Sequence, residues 1–192
     1  MAGDDTAPPR GAAFFDLDRT IIGGSSVFVF GWVAYRNGQM TTRQLLRDAS
    51  SAIAFKLTGA SDEKSAAVRD QVLEGVKGVK VADLRLLGDE ILTRLLDSVR
   101  RESRGLIDLH HDAGRDTYIV SASPIEIIQD FGEAMGMTGS LGTVSELVDG
   151  VYTGRLAEPF CYGPGKVIAM EKVAAEKGYD LSRSYAYTDS IS

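Results

Sequence analysis

Two carboxylates, Asp16 and Asp18, stand in the run Asp16-Leu17-Asp18-Arg19-Thr20. While the chain is extended, side chains at i and i+2 share a face, so both acids can serve one site. Acids this close repel and call for a cation, and hard oxygen donors favour magnesium or calcium. Asp-x-Asp alone also suits a turn or a cap, but here it follows Phe14-Phe15 and precedes Thr20. A second candidate is Ser121 in Val120-Ser121-Ala122-Ser123-Pro124. Pro124 suits the first position of a helix and Ser123 its N-cap. Ser121 then lies between a strand end and a helix start, where free backbone N–H groups and the helix dipole make an anion site. Simple capping by both serines reads equally well. Lys166, in Gly163-Pro164-Gly165-Lys166, falls in a first helical turn. The dipole disfavours a cation there by roughly 0.3–1 kcal/mol. A bound phosphate would remove that conflict; a solvated surface lysine is the alternative. Asp189, in Tyr187-Thr188-Asp189-Ser190, is either a third site carboxylate or a turn residue.

These residues need elements to bring them together. Ala12–Leu17 is a short apolar run ending in carboxylates and reads as a buried strand, with a loop from Asp18. Asp116–Ser121 and Ser184–Thr188 are β-prone runs, each preceded by a helical pattern and a turn. Alternating helices and strands predict a parallel sheet with helices on its faces, and ligands then bind beyond the strands' carboxyl ends. Between the first two strands the apolar residues recur at helical spacing: Val27, Phe30, Val33 and Ala34; Leu46, Ala49, Ile53 and Leu57; Val68, Val72, Val76 and Val79; Leu84, Leu87, Ile91 and Leu95. Breaks fall at Asn37-Gly38 and Thr58-Gly59. A crossover needs only about a dozen residues, so the surplus predicts an inserted helical unit, a lid or a decoration. Pro124–Met135 reads as a helix, and Asp149-Gly150 within Glu146–Leu156 signals a hairpin.

In chain order the set is strand–Asp-x-Asp-x-Thr, strand–Ser, helix-start Lys, strand–Asp. Over Ala12 to Ser192 this pattern resembles the haloacid dehalogenase (HAD) superfamily. The helical insertion after the first element resembles subfamily IB, the branch containing phosphoserine phosphatases. The resemblance implies an α/β fold: a three-layer Rossmann-like parallel sheet core over 12–22 and 101–192, an inserted α-helical cap over 23–100, and a tail over 1–11. It also implies a magnesium-dependent (Mg2+) phosphatase working through an aspartyl-phosphate. Asp16 matches the nucleophile and Asp18 the general acid and base. Thr20, Ser121, Ala122 and Lys166 match phosphate-binding positions, and Asp16, Asp18 and Asp189 the metal-binding ones. The expected substrate is a small phosphorylated metabolite, phosphoserine among the candidates. A phosphotransferase, or a non-catalytic phosphate- or magnesium-binding domain of a larger protein such as an acyltransferase fusion, are the rival expectations. Two departures bear on this. Ala122-Ser123 stand where phosphoserine phosphatases carry a glycine pair. The family also normally continues past the last aspartate with a further acid, strand and helix, so part of the core is expected to be missing. Arg36, Arg43 and Arg47 are candidate cap residues for holding substrate.

Bulk properties narrow the class. With 44% hydrophobic and 25% charged residues the 192-residue chain is of ordinary globular composition. Its net charge of -6 argues against a general nucleic-acid binder. The single cysteine, Cys161, excludes an internal disulfide and reads as a structural thiol. No signal peptide or apolar stretch of spanning length is legible, so a cytoplasmic protein without membrane insertion is expected. Oligomeric state stays open. His110 and His111 read as helix-end residues, and Glu74 and Lys77 as a solvated helix face.

Overall fold

A computed structural model describes residues 10–38, 66, 69, 70, 73, 74 and 76–189. Among these, the chain runs through β1 (Ala13–Asp16), α1 (Ser26–Arg36), α2 (Val81–Leu86), α3 (Gly88–Asp97), α4 (Arg101–Asp112), β2 (Thr117–Pro124), α5 (Ile125–Ala134), β3 (Gly139–Thr143), β4 (Ser145–Val148), β5 (Val151–Leu156), α6 (Pro164–Lys177) and β6 (Tyr185–Tyr187). Four strands form one sheet in the order β3-β2-β1-β6, with every neighbouring pair parallel. A separate antiparallel hairpin joins β4 and β5.

Alternation along β1 sorts its side chains onto two layers, as expected for a parallel strand covered on both faces. Ala13 and Phe15 join Ile119, Ile107, Ile128 and Phe131 on one face. Ala12 and Phe14 join Tyr118, Val120, Cys161 and Val173 on the other, beneath α6. Fully burying one side chain such as Phe15 contributes about 1.5–3 kcal/mol, so the central strand is firmly held. Helix, sheet and helix make the three layers expected from the sequence. Val33 of α1 and Leu87, Ile91 and Leu95 belong to the Phe15 layer. The described helices between β1 and β2 therefore pack into the sheet's own core. Lys80 also makes a bridge to Val151 of the hairpin.

Local signals explain most boundaries. Asn37 ends α1, and Gly38 follows with φ 73. Asp149 and Gly150 both take positive φ, 51 and 76, as a type I′ hairpin turn requires. The stripe Leu84, Leu87, Ile91 and Leu95 lies on two helices rather than one: Leu87 closes α2 and opens α3. Gly88, a weak helix former, follows that joint. The expected stripe Leu46–Leu57, with Val68, Val72 and the Thr58-Gly59 break, lies outside the described residues. The strand β3 is absent from the sequence reading. Its run Gly-Ser-Leu-Gly-Thr carries one large apolar residue, and it sits at the sheet's edge.

Candidate active site

The strands' register sets the site's floor. Asp16 ends β1 opposite Val120 of β2, so Ser121 follows one step beyond. On the other side Phe15 pairs with Tyr187, which puts Asp189 just past the same edge. After Asp16 the chain folds back on itself: the Ile21 and Ile22 amides donate to the Asp16 and Leu17 carbonyls at 3.2 and 3.1 Å. Arg19 takes the left-handed conformation, φ 59. The Arg100 amide donates to the Ile21 carbonyl, and the Gly23 amide to the Ser98 carbonyl. Leu17, Ile21 and Ile22 are buried beneath this turn.

Asp16 Oδ1 accepts two hydrogen bonds, from the Leu17 amide at 2.8 Å and from Lys166 Nζ at 2.8 Å. The lysine bond joins residues 150 positions apart. Both side chains are mostly buried, at 17% and 23% exposure, so the pair works in a reduced dielectric. Lys166 does lie in the first turn of α6, at its third residue. The carboxylate of Asp16 answers the dipole conflict that the sequence posed. The approach of α6 depends on Gly165, where a Cβ would run into the Phe160 carbonyl.

Asp18 points elsewhere. Its Oδ1 accepts from the Ser26 amide at 2.7 Å, at the start of α1. Burial pushes the Asp18 carboxyl above its ordinary 3.8, and Asp16 adds to the rise; the Ser26 hydrogen bonds and Lys166 oppose it. The two acids thus differ in setting: Asp16 faces a cation and an amide, whereas burial biases Asp18 toward keeping a proton.

Ser121 is buried, and its Oγ accepts from the Ser123 amide at 3.1 Å. Ser123 does not cap α5 as expected. Pro124 occupies the N-cap, without a side-chain hydrogen bond, and still belongs to β2. The cause is a strand longer than the apolar run suggests: β2 continues past an irregularity to pair Pro124 with Thr143. Ser123 Oγ instead shares a 2.9 Å hydrogen bond with Ser26 Oγ, tying the end of β2 to the start of α1. The Ala122 carbonyl accepts from Thr143 Oγ1 at 2.7 Å. Thr20 Oγ1 is buried without a hydrogen-bond partner, while the Thr20 carbonyl accepts from Ser103 Oγ at 2.7 Å.

Asp189 is not gathered with the other two acids. Its Oδ2 pairs with Arg19 at 2.8 Å. Among the described residues no group of three or more His, Cys, Asp or Glu is arranged to hold a metal ion. The oxygen donors nonetheless fit a hard divalent cation chemically.

Two participants were not picked out from the sequence. Ser26 supplies Asp18's amide donor and follows Gly23-Gly24-Ser25, a helix-start signal that was available. Tyr162 is held above its ordinary pKa by burial and then by Asp16, with Arg19 opposing; nothing in its spacing announced this. Cys161 is buried and its thiol is pushed up to about 11, chiefly by burial. His110 and His111 bond Tyr187 and Thr117 within the fold. Arg36 pairs with Glu90 at 3.8 Å, and Glu74 with Lys77 at 3.7 Å on the surface. Arg43 and Arg47 lie outside the described residues. No helix among the described residues is long and apolar enough to cross a membrane.

A parallel sheet with two acids after its central strand, a serine after the next and a lysine reaching in from a helix start defines a hydrolase-type α/β site. The chain belongs to the haloacid dehalogenase-like hydrolase family, which it matches over residues 13–192. It is 37% identical over 194 residues to phosphoserine phosphatase SerB1 of Mycobacterium tuberculosis, covering 98% of this chain and 63% of that protein. It is 39% identical over 184 residues to the inhibition of morphological differentiation protein of Streptomyces azureus, covering 95% and 66%. The chain thus spans just under two-thirds of the length of these relatives. Its fold is similar to that of a protein of unknown function from Bordetella pertussis Tohama I, with a TM-score of 0.78 at 21% identity over 93% of this chain and 81% of that one. A substrate-bound phosphoserine phosphatase complex gives a TM-score of 0.59 at 14% identity, over 94% and 78%.

Proposed function

We propose that the chain carries the catalytic core of a magnesium-dependent phosphomonoesterase, which acts through an aspartyl-phosphate on a small phosphorylated metabolite. The observation that carries this reading is the Lys166–Asp16 contact at 2.8 Å. A carboxylate attacking a phosphate dianion must overcome repulsion, and one cation about 4 Å away offsets roughly 4 kcal/mol at an effective dielectric near 20. Lys166 is built into the fold at that place. Magnesium, held by the Asp16 and Asp189 carboxylates and the Asp18 backbone carbonyl, would supply further charge neutralisation when bound.

In the first displacement a free oxygen of Asp16 attacks phosphorus, and the bond to the leaving oxygen breaks. Asp18, with its raised pKa, gives its proton to that oxygen. Ser121, Thr20 and the amides after Ser121, Ala122's included, hold the phosphoryl oxygens. Thr20's unpartnered hydroxyl is consistent with such a contact. In the second displacement Asp18 takes a proton from water, whose oxygen attacks phosphorus and frees Asp16 and inorganic phosphate. The cap of this reading lies within residues 23–100. Phosphoserine is the first substrate to try, since a relative of this chain bears the name phosphoserine phosphatase.

The test is magnesium-dependent hydrolysis of a generic aryl phosphate, followed by a panel of phosphorylated metabolites. Asp16→Asn is expected to lower turnover by at least about a thousandfold, in line with loss of a covalent nucleophile. Activity surviving in that variant would overturn the nucleophile assignment.

A further inference from the structure

From the Arg19–Asp189 contact we infer that Arg19 is a built-in counter-cation for Asp189, which a divalent metal must displace on binding. The proposal rests on the reading above, in which Asp189 is a metal-binding carboxylate, and adds a positioning role for Arg19 that this reading does not contain.

Three carboxylates lie past one sheet edge, on Asp16, Asp18 and Asp189. Unanswered, they would repel. Lys166 answers Asp16 at 2.8 Å, and the Ser26 amide donates to Asp18 at 2.7 Å. Arg19 answers Asp189 at 2.8 Å. With this arrangement Asp16 and Asp189 each face a cation of the chain's own before any metal arrives.

The backbone of Arg19 is held by the turn, while its side chain reaches toward solvent. Its amide donates to the Gly24 carbonyl at 3.0 Å, and its carbonyl accepts from Arg100 Nη1 at 2.8 Å. These bonds hold the left-handed turn, φ 59. The side chain is 46% exposed and makes no other ion pair among the described residues. Release of Asp189 therefore needs only side-chain rotation into solvent, with the loop that carries Asp16 and Asp18 left in place. A metal arriving there meets both its ligand and a competitor of the same sign.

Calorimetric titration of the protein with magnesium chloride alone, without phosphate or substrate, tests this. Arg19→Gln removes the charge and is expected to tighten magnesium binding about three- to tenfold, the scale of one partly exposed ion pair plus a nearby like charge. Arg19→Lys keeps the charge and should stay close to the parent. In an Asp189→Asn background the effect of Arg19→Gln should shrink to what the like charge alone contributes, as a double-mutant cycle requires of a pairwise contact. Unchanged or weaker magnesium binding in Arg19→Gln would overturn the proposal and leave the phosphatase reading standing. Absence of magnesium binding by the parent protein would instead overturn the metal-dependent reading, and this proposal with it.

Discussion

At the scale of single residues, the two acids are separated by what touches them. Asp16 has Lys166 and an amide on one oxygen; Asp18 has one amide and a buried setting that raises its pKa. A folded-state pKa above 3.8 means that the folded protein binds Asp18's proton more tightly than the unfolded chain does. That contribution to stability is full below 3.8 and is lost as pH rises through the folded value. Ionised Asp18 is thus a liability near neutral pH. Asp18→Asn keeps an oxygen for the Ser26 amide and removes the charge. It is expected to melt higher than the parent near neutral pH, with the gap closing in acid, while turnover drops by about a hundred- to ten-thousandfold. Thermal melts across pH beside aryl phosphate assays would show both; a lower melting temperature near neutral pH would contradict the raised pKa. Asp16, Asp18, Ser121 and Lys166 were legible as chemistry because each follows a strand or opens a helix. The partnership of Arg19 with Asp189 was not, because a long side chain on a turn can reach several neighbours.

At the scale of elements, position depends on a few close approaches. Helix α6 brings Lys166 in only because Gly165 leaves room against the Phe160 carbonyl. Gly165→Ala is expected to destabilise by about 1–3 kcal/mol through overpacking and to move Lys166 off Asp16. Turnover should then fall more than the melting temperature alone explains, measurable by comparing activity well below the melting transition. Unaltered turnover there would mean that α6 tolerates the shift. The strands β1, β2 and β6 were readable as apolar runs ending in polar residues, and the hairpin from Asp149-Gly150. Edge strand β3 was not, because little apolar burial is asked of it. The N-cap moved from Ser123 to Pro124 because β3 pairing prolongs β2 beyond its apolar part, a long-range effect that no local pattern carries.

At the scale of the whole molecule, one buried histidine links the fold's stability to pH. His110 packs against Phe15, Tyr185 and Tyr187 and shares a 2.9 Å hydrogen bond with the Tyr187 hydroxyl. Its Nδ1 is buried without a partner. Burial holds its pKa below the ordinary 6.5, with Arg115 and His111 adding to the effect. The unfolded chain therefore takes up the proton first. Stability from neutral His110 is full above 6.5 and is lost as pH falls from there through the folded value. His110→Phe is expected to flatten the acid side of the melting-temperature profile around that range. A profile parallel to the parent's would show that His110 does not carry this dependence.

Strand β1 sits between partners that come far later in the chain. Its register with β2 begins at Thr117 and with β6 at Tyr185. On a ribosome β1 thus emerges before both of these partners, and its β6 side waits unpaired until almost the whole described chain has been made. Lys166 arrives within that same last stretch. A nascent chain interrupted before α6 would carry an intact Asp-x-Asp-x-Thr sequence without Lys166, so on the proposed reading partial synthesis products should be silent as catalysts. They would also leave the β6-side edge of β1 unpaired, and such unpaired edges are where aggregation begins.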